Sequence, residues 1–298
     1  MNLSKINSKV SRILPKRLLP FVRKYFPNHI RDIYIYHKND SVNKELEFLI
    51  ENGPITFSYG FPYEWVLEKK EGNVIVNYDE SRKLPYVISK NHRIYYPASM
   101  SDEEIQTLYN NVVNIEQDVR SPHCYFTKTY GIDYGDIVVD CGASEGFFSI
   151  DKINIIKHLY LFEPDERWVE PLKATYAPWI NKVSIITKYL SSETDEQCTT
   201  LDEFFKNKEL PTMIKMDVEG FEKNILDGAK NLLTSDKLCK IVACVYHHAD
   251  DEKILSEIMT EHGFNVTISE GYTFLSLDFK DGERCPPYLR HGVIRCRR

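Results

Sequence analysis

A doubly wound α/β fold with a mostly parallel sheet is predicted from three features of the chain. Short apolar runs alternate with helical segments from about residue 136 onward, a glycine-bearing turn follows the first run, and an acidic residue ends the second. The first strand is IVVDC (137–141), followed by a helical stretch to about 157, then the strand HLYLF (158–162) and a helix from about 166 to 177. KVSIITKYL (182–190) is the third strand, TLDEFF (200–205) starts a short helix, and MIKMDV (213–218) is the fourth. Helices at 222–233 and 251–262 flank KIVACVY (240–246). NVTIS (265–269) and GVIRCR (292–297) supply two more strands, the last inserted antiparallel after a Cys285-Pro286-Pro287 loop.

Ahead of this unit, Ser101 and Glu104 form a capping box that opens a helix carrying Ile105, Leu108, Val112 and Ile115 and ending near Asp118. Between about 33 and 97, aromatic and β-branched runs read as hairpins: WVLEKK and VIVNY around Glu71-Gly72-Asn73, then YVIS and RIYYP around Lys90-Asn91-His92, with a short helix over 44–50. The expected organisation is a basic arm (1–31), a small α+β region (32–115) and a ligand-binding domain (116–298).

The 298 residues, 42% hydrophobic with 19 Tyr and 15 Phe, suffice for a substantial core. A net charge of −6 conceals an asymmetry. Residues 1–31 hold eight Lys/Arg and no acid, leaving −14 on the remainder, which argues against a nucleic-acid partner. Leu3, Ile6, Val10, Ile13 and Leu14 recur at helical spacing beside those cations. That pattern fits either a solvated arm or a peripheral contact with an anionic membrane surface. No run approaches the roughly 18 apolar residues of a membrane span, so a cytoplasmic protein is expected, with the arm a possible link to the inner membrane surface. Seven cysteines without a C-x-x-C pair suggest reduced, buried thiols.

In such a sheet the ligand sits beyond the carboxyl ends of the strands. The first strand ends in Asp140-Cys141-Gly142-Ala143-Ser144-Glu145-Gly146, where Gly142 permits a tight turn and Gly146 opens the next helix. A dinucleotide loop would read G-x-G-x-x-G around a pyrophosphate; here the spacing differs, and Glu145 would repel that group, so a nicotinamide-dependent oxidoreductase is disfavoured. Glu163, before Pro164, stands where a carboxylate can accept from both hydroxyls of a ribose. An unphosphorylated nucleoside joined to a positive group is S-adenosylmethionine.

VVDCGASEGFFS, YLFEP, TLDEFF and above all IKMDVEGFEKNILDGA (214–229), in that order, resemble the FkbM family of S-adenosylmethionine-dependent methyltransferases. Lys215, Asp217, Glu219, Gly220, Glu222, Leu226 and Gly228 stand at the family's signature positions, and the likeness covers about 117–298, with EQDVRSPHCY (116–125) resembling a lead-in segment. The family motif has Asn where this chain has Ser144. The resemblance implies a class I methyltransferase fold, S-adenosylmethionine as donor, and a hydroxyl of a sugar or secondary metabolite as acceptor, as in polysaccharide biosynthesis. The alternatives are N-methylation of an amino sugar or small metabolite, and a catalytically silent binding module.

The expected donor-binding residues are Asp140, Gly142, Ala143, Ser144, Gly146, Glu163, Pro164 and Asp202, the last equally readable as a helix-terminal charge. Asp217 and His247 are the expected catalytic residues, with His248 the alternative to His247. His123 and Tyr125 fit a role in closing over the donor, in lining the acceptor pocket or in packing. Asp217, Glu219, Glu222 and His247 can be drawn as an oxygen-rich magnesium site, but the pattern is not specific, and no metal is expected.

Overall fold

The computed structural model describes residues 36–37, 42–52, 60–69, 74–275, 279–280, 283–284 and 286–298; the basic arm 1–31, the turn at 71–73 and Cys285 lie outside them. Its centre is a seven-stranded sheet. The strands are β4 (Ile137–Cys141), β5 (His158–Phe162), β6 (Val183–Ile186), β9 (Met213–Met216), β10 (Lys240–Cys244), β11 (Asn265–Ile268) and β16 (Val293–Arg297). Their order is β6-β5-β4-β9-β10-β16-β11. All neighbours pair in parallel except β16, which is antiparallel to both β10 and β11. This is the class I methyltransferase topology, and the antiparallel last strand lies where the sequence places it.

Strands buried on both faces need apolar residues at consecutive positions. In β4, Val138 enters the cluster on one face and Val139 and Cys141 the cluster on the other; in β10, Val242 and Cys244 face one way and Ile241 and Ala243 the other. Each fully buried aliphatic side chain contributes about 1.5–3 kcal/mol. The helices Glu166–Thr175, Leu201–Phe205, Glu222–Asp227, Lys230–Leu233 and Asp251–Glu261 supply the covering layers. The single helix expected over 222–233 is two, parted at Gly228, where a Cβ would lie 2.2 Å from the Ser191 carbonyl oxygen.

The N-terminal region shares this core. Strands β1 (Asn77–Asp79), β2 (Leu84–Ser89) and β3 (His92–Tyr95) form an antiparallel sheet, with Lys90 (φ 45°) and Asn91 (φ 71°) both left-handed in the β2–β3 turn. Two positive φ values are what a type I′ hairpin requires, and Asn accepts that region readily. Val87, Ile94, Tyr96 and Ile105 join the cluster containing Val138, Leu159 and Val242. The Tyr95 amide donates to Thr175 Oγ1 of the helix behind.

WVLEKK, expected as a strand, is instead the helix Glu64–Glu68. Val66 is drawn into a cluster with Phe61 and Ile115, and Arg120 stacks over the Trp65 ring at 4.9 Å. The capping box is present: Ser101 Oγ accepts from the Glu104 amide and the Glu104 carboxylate accepts from the Ser101 amide. The helix it opens does not stay α-helical to Asp118, because Asp102–Tyr109 continues as a π-helix over Asn110–Glu116.

The remaining strands are two-residue ladders: β7 (Tyr189–Leu190) with β8 (Cys198–Thr199), β12 (Thr273–Phe274) with β15 (Leu289–Arg290), and β13 (Phe279–Lys280) with β14 (Glu283–Arg284). Six cysteines of the described residues are free thiols, four of them buried. Among the described residues no helix is long and apolar enough to cross a membrane.

The amino ends of β4 and β10 are tied by Lys240, 4% exposed, whose ammonium donates to Asp133 (2.7 Å) and Asp136 (2.5 Å) and to the Gly131 carbonyl. Removing one partner of a buried pair leaves the other charge uncompensated. Lys240→Met is expected to cost about 3 kcal/mol in urea unfolding, whereas Lys157→Met, at an exposed pair with Glu209, should cost under about 1 kcal/mol.

Candidate functional site

A cavity of about 1290 Å³ opens at the carboxyl ends of β4, β5 and β9. It is larger than the roughly 300–1,000 Å³ typical of one small-molecule site, so two ligands fit side by side. Its wall holds two linked groups of residues: the loop after β4 with Glu163 and Pro164 after β5, joined by the Ser144–Glu163 hydrogen bond, and Glu116, His123, Tyr125, Asp217 and Tyr246, which neighbour one another.

The loop after β4 turns through Gly142 (φ 78°), and a Cβ there would lie 2.0 Å from the Asp217 carbonyl oxygen. The glycine therefore allows the ends of β4 and β9 to touch. Ser144 follows at φ 44°, a left-handed conformation that costs an ordinary side chain about 1–2 kcal/mol and that Asn tolerates better. The family's Asn at this place thus has a backbone explanation. The Ser144 amide donates to Glu163 Oε2 at 2.8 Å and the Asp165 amide to Oε1 at 2.9 Å, so the carboxylate is fixed in the cavity wall with lone pairs to spare. Burial raises the Glu163 carboxyl above its ordinary range, against the lowering effect of these two amides.

Gly142, Ala143, Ser144, Glu163, Pro164 and Asp217 line the cavity. Four expected site residues do not, and each has another task. Asp140 is fully buried beneath the loop, 3.0 Å from the Lys215 ammonium, which itself donates to the Gly142 carbonyl at 2.6 Å. Gly146 (φ 79°) is a packing position, where a Cβ would come within 2.9 Å of the Tyr176 ring. The Asp202 carboxylate accepts from the amides of Asn231 (2.9 Å) and Leu232 (2.9 Å), capping the start of Lys230–Leu233. His247 lies behind the cavity wall, its Nδ1 3.0 Å from Glu222 Oε1 and its Nε2 3.7 Å from Asp217 Oδ1. Its side chain is 6% exposed. Burial acts to lower the imidazole pKa, but Glu222, Asp217 and Glu219 outweigh it and raise the value above that of a free imidazole. His248 turns to the Gly220 carbonyl at 3.1 Å.

Asp217 receives a hydrogen bond from the Tyr125 hydroxyl at 2.6 Å, and His123 Nε2 lies 3.7 Å from it. Burial alone would raise its pKa. The Lys215 cation, His123, His247 and the Tyr125 hydroxyl prevail and hold it well below the usual carboxylate range. Among the described residues, two groups bring three possible metal donors within 4.8 Å: His123, Asp217 and Cys244, and Asp217, Glu222 and His247. In the second, Glu222 already accepts from the Val218 amide at 3.0 Å and faces His247. Sequence reasoning missed Glu116. Its carboxyl reaches the cavity from the end of the π-helix, and nothing in an apolar periodicity marks that turn.

Residues 181–266 match the family described as the methyltransferase FkbM domain, bearing out the resemblance read from the motifs. Among solved structures, methyltransferase FkbM from Methylobacillus flagellatus KT is similar at 19% identity and TM-score 0.45 over 66% of this chain. The match covers 55% of that chain, so this protein spans just over half its length. Precorrin-6y C5,15-methyltransferase from Geobacter metallireducens GS-15 aligns at 13% identity and TM-score 0.37, over 56% of this chain and 83% of that one. Magnesium protoporphyrin IX methyltransferase from Synechocystis PCC 6803, solved with bound SAM, aligns at 15% identity and TM-score 0.35, over 55% and 71%. No curated protein sequence matches the chain.

The loop geometry sets two expectations for purified variants followed by denaturant unfolding. Gly142→Ala drives a Cβ into the Asp217 carbonyl and should cost about 3 kcal/mol. Ser144→Asn eases the left-handed residue and should raise stability by about 0.5–1 kcal/mol.

Proposed function

We propose that this chain, whose residues 181–266 match the FkbM methyltransferase domain, is an S-adenosylmethionine-dependent methyltransferase acting on a sugar hydroxyl. The observation that carries the reading is the Glu163 carboxylate. It is buried at the end of β5, held by two backbone amides, turned into a cavity that also receives the glycine loop, and has acceptor capacity left for two ribose hydroxyls. Glu145 and Asp217 line the same cavity and suit a cationic donor better than a pyrophosphate. Gly142, Ala143, Ser144, Glu163 and Pro164 would hold the donor.

When bound, S-adenosylmethionine supplies a methyl group on a positively charged sulfur. The protein's part is to align an acceptor oxygen with that methyl and exclude water, since positioning supplies much of the acceleration in such a displacement. Asp217 and Tyr125, hydrogen-bonded to each other and set in the field of Lys215, would form a floor for this alignment, and Asp217 would supply negative charge suited to a cationic donor. A glycan acceptor would occupy the part lined by Glu116, His123 and Tyr246. The basic arm would keep the enzyme near a membrane-linked glycan on the cytoplasmic side.

Isothermal titration with S-adenosylhomocysteine should show micromolar binding, with none for NADH; the reverse preference would overturn the proposal. Glu163→Ala should weaken that binding by about 1.5–3 kcal/mol, roughly 10- to 100-fold, while leaving the thermal unfolding midpoint nearly unchanged. Unaltered affinity would remove Glu163 from the donor site.

A further inference from the structure

We propose that the Glu116 carboxylate, with the His123 imidazole beside it, takes the proton from the acceptor hydroxyl as the methyl group is transferred; the assignment rests on the methyltransferase reading above. Both residues line the cavity. Glu116 Oε2 lies 3.9 Å from His123 Nδ1, and no described residue donates a hydrogen bond to the Glu116 carboxylate. His123 is 4% exposed, and its Nδ1 has no hydrogen-bond partner among the described residues, while its Nε2 is 3.1 Å from the Tyr246 hydroxyl. Buried polar groups are ordinarily paired, and here the cavity-lining carboxylate has acceptor capacity left for a ligand's polar hydrogen, with an unpartnered ring nitrogen buried behind it.

Asp217, by contrast, is already committed to Tyr125 and to three cationic or polarisable neighbours. The same field acts oppositely on the two carboxylates. Burial, then the charges of Asp217, Glu145 and Glu219, push the Glu116 carboxyl up to about 8, against the opposing charge of Lys215. Burial pushes His123 down to about 4, so it stays neutral and can accept from the carboxyl form or donate to the carboxylate. A proton acceptor works best when its pKa lies near the working pH, which favours Glu116 over Asp217.

The step balances. The acceptor oxygen forms a bond to the methyl carbon as the carbon–sulfur bond breaks, the electron pair of that bond returns to sulfur, and the hydroxyl proton passes to Glu116. The products are the methyl ether and neutral S-adenosylhomocysteine, and Glu116 then releases its proton to solvent.

The test needs no acceptor. A sulfonium bound beside Glu116 favours the ionised carboxylate, so binding of S-adenosylmethionine should release more protons than binding of the uncharged-sulfur homocysteine analogue. Titration calorimetry in buffers of different ionisation enthalpy, between pH 6 and 9.5, should show this excess at its largest between pH 7 and 8. It should vanish toward both ends of the range. Glu116→Gln should abolish the excess and keep S-adenosylhomocysteine affinity within threefold, subtracting every other proton that moves; Glu116→Ala provides the same comparison if the Gln variant does not fold. His247→Gln should retain the excess. An excess that is absent in the wild type, survives both Glu116 substitutions or disappears in His247→Gln overturns the proposal while leaving donor binding in place. Failure of both ligands to bind would instead sink the methyltransferase reading.

Discussion

The Lys215 ammonium is the interaction on which the site depends. It is 4% exposed, lies 3.0 Å from the Asp140 carboxylate and donates to the Gly142 carbonyl, so one side chain of β9 ties down the end of β4 and the turn that follows it. A buried cation is costly without partners, and here it has the Asp140 carboxylate, the carbonyls of Cys141 at the end of β4 and of Gly142 in the loop, and the nearby Asp217. Those partners hold Lys215 protonated well above its ordinary range. Gly142 completes the arrangement, because only a residue without Cβ lets the Asp217 carbonyl come so close. The ion pair therefore fixes the loop, the loop presents the Ser144 amide, and the amide orients Glu163.

From that anchor a division of charge follows across a few ångströms. Asp217, adjacent to the cation and bonded to Tyr125, is held ionised, whereas Glu116, farther from Lys215 and facing the other carboxylates, retains its proton to a higher pH. Carboxylates pushed apart by their surroundings can hold different roles in one site. On the reading proposed here, the ionised group sits by a positive sulfur and the protonatable one by a hydroxyl. His247, buried between Glu222 and Asp217, faces these carboxylates from outside the cavity lining, and they raise its affinity for a proton.

How much was legible in the sequence depended on whether a residue's task is local. The alternation of strands and helices from Ile137 on, the capping box at Ser101 and the Lys90-Asn91 turn follow from periodicity and turn chemistry and stand in the structure, whereas KVSIITKYL divides into β6 and β7, which belong to different sheets, and VIVNY is a strand only from Asn77. WVLEKK was misread because its aromatic and β-branched residues suit a strand, while the buried seat of Val66 beside Phe61 and Ile115 favours a helix, a tertiary effect overriding propensity. Asp140, Gly146 and Asp202 sit in or beside motifs, yet motif position does not say which way a side chain points. One meets Lys215, one packs on Tyr176, and one caps a helix that begins 28 residues later. Glu116 was illegible for the opposite reason: its place in the cavity wall depends on a π-helical turn that no apolar periodicity marks, and the wall it joins is completed by Asp217, which meets His123 across the fold.

The same distinction bears on substrate choice. Lys215, Asp217, Glu222 and His247 all fall within the segment that matches the family, and they build the floor and its electrostatics. Glu116, His123 and Tyr125 come from outside it, carried by a region whose Val87, Ile94, Tyr96 and Ile105 cover one face of the sheet. That coverage makes the N-terminal region part of the core rather than an attachment. It also makes this part of the cavity wall responsive to the packing of the hairpin and the π-helix. The residues proposed to hold the donor lie on short loops at strand ends, where little can vary without breaking the sheet. The wall around Glu116 and His123 is built on a helix terminus and a connecting loop, elements that tolerate sequence change, and a methyltransferase of this design would acquire a new acceptor there without disturbing the ion pair beneath.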